Sequence, residues 1–280
     1  MVYFKKREKR SFDIMEKKRK IDTRESVTIV TSNSFITACG LEGISLKARK
    51  LLYIAISQCK LTDKEFYEYF ITISDFSKLM NISSSHVYEE AENMCDELAK
   101  GFIKIRKSEK DIKRRKLFSI CDNTKNGIIF QLDKDMTDLL LELKGSFSKP
   151  LLHDFLKMRS PYSMAIWHLM QREMKSKKPY ADTIFNFSLT LSELRQITGT
   201  EKTFERLSDF KRYVLDKALR EIKENCMIDI EYTHLKDGRI VVGFDFTAKS
   251  QFYIAQEDLS LHTQETIKRI NEKRKEKNII

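Results

Sequence analysis

Arg212, Tyr213, Asp216, Lys217 and Arg220 crowd one side of the stretch LSDFKRYVLDKALREI when it is laid on a helix at about 100° per residue. Phe210, Val214, Leu215, Ala218 and Ile222 share the other side, with Leu219 at its edge. The apolar face is suited to packing. The polar face offers guanidinium, ammonium, phenol and carboxylate groups, which hydrogen-bond to base edges in a major groove. Arg206, Ser208, Lys211 and Arg212 lie at the start of this helix; Ser208 is the expected N-cap, and free backbone N–H groups there favour a phosphate. Downstream, Lys236 and Arg239 flank Asp237-Gly238, the expected two-residue turn of a hairpin. This chemistry binds; it does not make or break bonds.

Residues for catalysis are missing from the pattern. Neither G-x-x-x-x-G-K-[ST] nor G-x-G-x-x-G occurs, which argues against nucleotide hydrolysis. His86, His153, His168, His234 and His262 lack the pairing that a rolling-circle nicking enzyme uses to hold a metal beside a nucleophilic Tyr. Asp and Glu fall into helical charge patterns with no carboxylate constellation. No catalytic residue, metal or cofactor is expected, and a nicking replicase stands as the enzyme-class alternative.

The elements that must position these residues are written twice. TISDFSKLMNIS, from Thr72, matches TLSELRQITGTE, from Thr190: a β-like pair, then Ser74 or Ser192 as expected N-cap, an acidic first turn and a short amphipathic helix. An apolar helix precedes each, LKARKLLYIAISQC in one half and YSMAIWHLMQREM in the other. A longer helix and strands follow each: SSHVYEEAENMCDELAKG with FIKIRKS, KLFSI and GIIFQLD, then DFKRYVLDKALREIKEN with MIDIEYTHL and IVVGFDFTA. Helix, strand, helix, helix, hairpin is the order of a winged helix-turn-helix. The predicted fold is α+β, mainly helical, with two tandem winged-helix domains.

The two long helices differ in charge. Glu89, Glu90, Glu92, Asp96 and Glu97 make the first unsuited to a groove, although its start, Ser84-Ser85-His86, is neutral. Basic material in that half sits at Lys104 and Arg106 and in the expected loop DIKRRK, with Lys113, Arg114 and Arg115. Phosphate contacts and association are therefore expected of the first half, and base readout of the second. The apolar strand GIIFQLD is expected to be an exposed edge, open to pairing with a second copy.

Over 280 residues the formal net charge is +11, which favours an acidic partner, nucleic acid or an anionic surface. Five cysteines, odd in number and without a CxxC pair, fit small buried hydrophobes in a reducing cytoplasm. No apolar run approaches the roughly 20 residues of a membrane span, and the N-terminus lacks a signal-peptide h-region, so no membrane partner is expected. The expected plan is a basic arm over 1–26, winged helices over 27–148 and 149–250, and a polar helical tail over 251–280.

LSDFKRYVLDKALREI, SPYSMAIWHL, LSELRQITG, IEYTHLKDGRIVVGFDF, SLKARKLLYIAISQC and ITISDFSKLMNI together resemble the tandem winged-helix Rep proteins, plasmid initiators of theta-type, often iteron-containing, replicons. The resemblance spans about Val27 to Ala248, and DFK-x-x-VL-x-x-A-x-x-EI is its most specific part. It implies that both domains touch repeated double-stranded origin sites and that the second recognition helix carries most specificity, with Lys211 and Arg212 matching contact positions. It further implies a homodimer through the first domain that represses the protein's own gene, and recruitment of the host initiator and helicase. A plasmid or phage winged-helix transcriptional regulator is the alternative with the same fold.

Overall fold

The computed structural model describes residues 19–24, 27–60, 62–106, 111–141, 143, 147–174, 184–226 and 228–250. The first half opens with strands β1 (Arg19–Lys20) and β2 (Thr31–Ser32) and helices α1 (Asn33–Ile36) and α2 (Leu46–Ser57). It continues through β3 (Tyr69–Thr72), α3 (Ile73–Met80), α4 (Val87–Lys100), β4 (Phe102–Arg106), β5 (Ile112–Lys116), β6 (Phe118–Thr124) and β7 (Gly127–Leu132). Helix α5 (Thr137–Leu140), strand β8 (Phe147–Ser148) and helix α6 (Leu152–Lys157) connect it to the second half. That half holds α7 (Pro161–Met174), β9 (Ile184–Thr190), α8 (Leu191–Thr198), α9 (Leu207–Phe210), a π-helical turn (Lys211–Leu215), α10 (Asp216–Cys226), β10 (Ile228–Asp237) and β11 (Ile240–Ser250). The expected tail, and the expected arm up to residue 18, lie outside the described residues. The described end of the arm is docked: Arg19 pairs with Tyr69 across β1 and β3 and lies 3.4 Å from the Tyr67 ring centroid.

In each half a strand turns directly into a helix at a threonine. Thr72 ends β3 and its Oγ1 accepts the Asp75 N–H at 3.1 Å. Thr190 ends β9, accepts the Glu193 N–H at 3.1 Å, and its own N–H is taken by the Glu193 carboxylate at 3.1 Å. The caps are therefore Thr72 and Thr190, correcting Ser74 and Ser192, because each helix begins straight out of its strand. Each helix closes on a left-handed residue, Asn81 at φ 52° and Gly199 at φ 66°. Across the sheet the two threonines face Gly127 and Gly243. A Cβ at either glycine would run into the carbonyl oxygen of Ile71 or Leu189, so only glycine lets the last strand approach the corner.

The sheets share one order, β1-β3-β7-β6 in the first half and β10-β11-β9 in the second, with the final hairpin strand inside. Three sequence expectations change here. Strand β7, expected as a free edge, is paired on both sides, with β3 and with β6; its apolar run reflects interior placement. The expected loop at Ile112–Lys116 is strand β5, paired with β4 as an added hairpin, so β6–β7 is the true counterpart of β10–β11. The turn of the second hairpin is Gly238-Arg239, because Asp237 still pairs with Ile240. Gly238 takes φ 58° at the first turn position, which a type II′ turn requires.

Helix α7 joins the halves. Its buried His168 stands between Thr31 of β2 and Tyr53 of α2, with Thr31 Oγ1 2.8 Å from Nε2 and the Tyr53 hydroxyl 3.2 Å from Nδ1. One ring nitrogen donates and the other accepts, so the neutral imidazole satisfies both partners. Phe35, Tyr53 and Phe155 wall it in, and burial pulls its pKa down to about 3.

Because the folded pKa of His168 lies below its ordinary 6.5, protonation favours the unfolded chain. Stability should be full above that pH and fall toward pH 3 by up to about 1.4 kcal/mol per unit. Urea unfolding between pH 7 and 5 should show this slope, and His168→Gln should flatten it; a slope indifferent to the substitution would exonerate His168. The corners give a second test. Gly243→Ala should lose about 1–3 kcal/mol through overpacking, whereas Gly43→Ala, where a Cβ meets nothing, should stay within about 0.5 kcal/mol. Equal midpoints for the two variants would refute the close-approach argument.

Candidate nucleic-acid interface

The packing face of the α9–α10 segment forms as the sequence predicts: Phe210, Val214, Leu215, Ala218 and Ile222 are fully buried and Leu219 nearly so. Two features depart from the regular wheel. Ser208 is exposed within α9 instead of capping it, because the helix starts at Leu207 and Arg206 takes the cap position without a side-chain bond. The π turn then widens the backbone at Lys211–Leu215, where side chains leave the 100° spacing.

That change sorts the polar residues into two groups. Lys211 turns onto the hairpin, its Nζ donating to His234 Nε2 at 3.1 Å and lying 5.4 Å from the Tyr232 ring centroid. Asp216 accepts from the Tyr232 hydroxyl at 2.6 Å, and burial followed by this carboxylate pushes the phenol pKa up. Both residues brace the helix against β10. Arg212, Tyr213, Lys217 and Arg220 remain exposed on the outer face. Tyr213 stacks on Phe204 at 5.9 Å between centroids, with the Arg212 guanidinium 5.3 Å and the Lys217 ammonium 5.5 Å from its ring. An aromatic ring with a phenol tip, held between two cations, can meet bases and phosphates together.

Arg195, which sequence reading passed over, holds this arrangement. Its Nη1 donates to the Thr200 and Thr203 carbonyls at 3.0 Å each, and its Nη2 to those of Phe204 at 2.8 Å and Glu205 at 3.1 Å. One planar guanidinium thus collects four carbonyls of the turn between α8 and α9, a task beyond the point charge of a lysine. The turn keeps Phe204 at φ 51°, uncommon for an aromatic residue, and so presents its ring to Tyr213. Beside it lies a surface concavity of about 620 Å³ that includes Phe204, Arg206, Asp209 and Tyr213. The available signal was a basic residue in the last helical turn before Gly199, where unpaired carbonyls gather.

Lys236 and Arg239 are exposed at the far end of the β10–β11 hairpin. In the first half, Ser84, Ser85 and His86 form an exposed turn before α4. Two acids of α4 serve the fold: Glu90 pairs with Lys47, and Glu97 accepts from the backbone and hydroxyl of Ser45. Lys104 and Arg114 oppose each other across β4–β5, and their charges lie 5.5 and 5.7 Å from the exposed Phe102 ring centroid. Lys113 is exposed beside them. Arg115 is half-buried and donates to Asp138 at 3.0 Å, so its charge is engaged within the fold. The Arg106 side chain lies outside the described residues. Among the described residues no His, Cys, Asp or Glu group is arranged to hold a metal ion, and no helix is long and apolar enough to cross a membrane.

Two winged helices with cationic outer surfaces define a tandem winged-helix protein of the nucleic-acid-binding class. Residues 28–171 match the family described as Initiator Replication protein, WH1, and residues 190–248 match Initiator Rep protein, WH2. The chain belongs to this family of replication initiators. The crystal structure of the Pi initiator protein in complex with iteron DNA superposes with a TM-score of 0.68 at 19% identity, covering 81% of this chain and 99% of that one. Domains 2 and 3 of RctB give a TM-score of 0.35 at 12% identity, over 85% of this chain and 96% of that one. A search of curated proteins returned no match.

Arg195→Ala should cost about 2 kcal/mol of stability, the scale of charge-assisted hydrogen bonds lost together. It should also speed amide exchange at Thr200–Arg206 while leaving α2 and α4 protected. Unchanged exchange in that turn would mean that the guanidinium does not hold it.

Proposed function

We propose that the protein is a sequence-specific, double-stranded DNA-binding initiator of plasmid replication, acting in the cytoplasm by binding and without an enzymatic step. The observation that carries the reading is Tyr213, exposed and flanked by Arg212 and Lys217 on a helix whose opposite face is wholly buried. The iteron DNA bound by the Pi initiator suggests the ligand here: repeated sites at an origin.

Labour divides between the halves in this reading. Residues 149–250 read bases through Arg206, Ser208, Arg212, Tyr213, Lys217 and Arg220, with Lys236 and Arg239 on phosphates. Lys211 and Asp216 contribute by fixing the helix on its hairpin. Residues 27–148 grip phosphates through Lys104, Lys113 and Arg114, with Arg106 on the same strand as Lys104, and through the turn at Ser84, Ser85 and His86. Loading on repeats would then distort the neighbouring duplex and recruit the host initiator and helicase. A dimer through the first half would repress the protein's own gene; with β7 inside the sheet, its surface must be another one.

A duplex selected on the wild-type protein from a random pool, and a scrambled copy, supply the test at matched salt. Arg212→Ala should weaken binding to the selected duplex by about 1–3 kcal/mol and to the scrambled copy by less. Joint removal of Lys236 and Arg239 should weaken both duplexes alike and lower the salt slope by about one unit per lost phosphate contact. If selection yields no preferred sequence, the reading fails.

A further inference from the structure

The far end of the β10–β11 hairpin carries a polar stretch through its turn, Lys236-Asp237-Gly238-Arg239, as hairpin tips ordinarily do, but an exposed apolar side chain follows it directly. Strand β9 pairs with β11 only from Lys249 to Gly243, so Lys236–Val242 projects beyond the sheet as a two-stranded ribbon. Ile240, at its tip, is 71% exposed, the most of any large apolar side chain among the described residues, and Val242 is also exposed. The register slips between Leu235 and Lys236: Leu235 faces Gly243 and Lys236 faces Val241, leaving Val242 unpaired as a bulge. Bulges of this kind twist a strand and re-aim the side chains beyond them. Lys236 stands exposed one residue before the last paired position, Asp237, and Arg239 lies exposed in the turn itself.

Single exposed apolar residues are common on protein surfaces and need no partner. Here two exposed β-branched residues share one projecting ribbon with two cations and one carboxylate, Asp237, which leaves a net positive tip. The cations favour a polyanion as the surface that the tip meets, and an apolar side chain carried into its groove has two apolar targets, the thymine methyls and the stacked faces of the bases, of which only the second requires a step to part. We propose that Ile240 is a wedge that enters a base step beside the site read by the α9–α10 segment, kinking the duplex while Lys236 and Arg239 hold the flanking phosphates. Side chains of this type part base steps at the cost of unstacking. This inference rests on the DNA-binding reading above.

A mismatch scan tests it. One mismatched pair is moved stepwise along the selected duplex, and the affinity of the full chain is measured at each position. A mismatch lowers the cost of unstacking locally, so wild-type protein should bind one flanking position about tenfold more tightly than the intact duplex, the relief of roughly 1.4 kcal/mol of that cost. Ile240→Ala should lose this peak and reduce the bend read by end-to-end energy transfer, with the salt slope unchanged; Ile240→Met should restore both. Because the side chain is exposed, matching unfolding curves will show that the variants fold. A peak and bend that persist in Ile240→Ala overturn the wedge, as does loss of cooperative loading on two repeats with the peak intact, which would assign the tip to a second copy. Failure of wild-type protein to prefer the selected duplex sinks the DNA reading itself and is separable from either result.

Discussion

The close approach of Gly127 to Thr72, and of Gly243 to Thr190, is the constraint on which the rest of each half depends. A side chain at either glycine would push the last strand off the corner and release the helix that leaves it. With glycine there, the threonine serves as the last sheet residue and the first helix cap, so the helix departs in one fixed direction. In the second half that direction puts Arg195 over the turn, and Arg195 in turn sets Phe204 and Tyr213. Counting from the cap, Ser77 is its counterpart in the first half, and it makes one bond, to the Ile82 carbonyl at 2.7 Å. The same corner therefore supports a strongly fixed turn in one half and a lightly held one in the other.

Much of this was legible in the sequence because it depends on periodicity. The buried stripe from Phe210 to Ile222 follows from residue spacing, and the repeat at Thr72 and Thr190 showed two copies of one unit. What escaped depends on partners distant in sequence. Whether GIIFQLD is an edge or an interior strand is decided by β3, more than fifty residues earlier. The segment Ile112–Lys116 reads as a loop because four of its five residues are cationic, yet it forms a strand with β4 leaning on Phe102. The π turn at Lys211–Leu215 breaks the 3.6-residue spacing, and no local composition marks it, so the turning of Lys211 onto His234 and Tyr232 could not be read from its place at the start of the helix. Arg195 looks like any solvated cation until the carbonyls it gathers are in place.

Charge placement follows the same logic. The acids of α4 serve packing within the first half: Glu97 sits at the N-terminus of α2, where a negative charge complements the free N–H groups, and Glu90 neutralises Lys47 on the first turn of that helix. They hold α4 to α2. The cations that this helix cannot carry appear on the added β4–β5 hairpin, where Lys104 and Arg114 lie against an aromatic ring and keep their outer sides open. One unit thus folds with its acids and presents its bases elsewhere.

How the two surfaces act together depends on α7. Thr31, Tyr53 and His168 form a buried polar chain whose geometry is satisfied in one arrangement only, and such networks specify placement more than they add stability. Had the halves been joined by a flexible linker, each would search for DNA separately and lose orientational freedom on binding. With α7 packed against α1 and α8, and Gln196 of α8 reaching the Thr37 carbonyl at 3.3 Å, the two outer surfaces are held in one mutual orientation before any ligand arrives. The ordering cost is met during folding, and the fixed offset between the surfaces limits which spacings of contact on a helical duplex can be occupied at once. Under the proposed function, selectivity for a repeat is then a property of the joint between the halves as well as of the residues proposed to touch DNA.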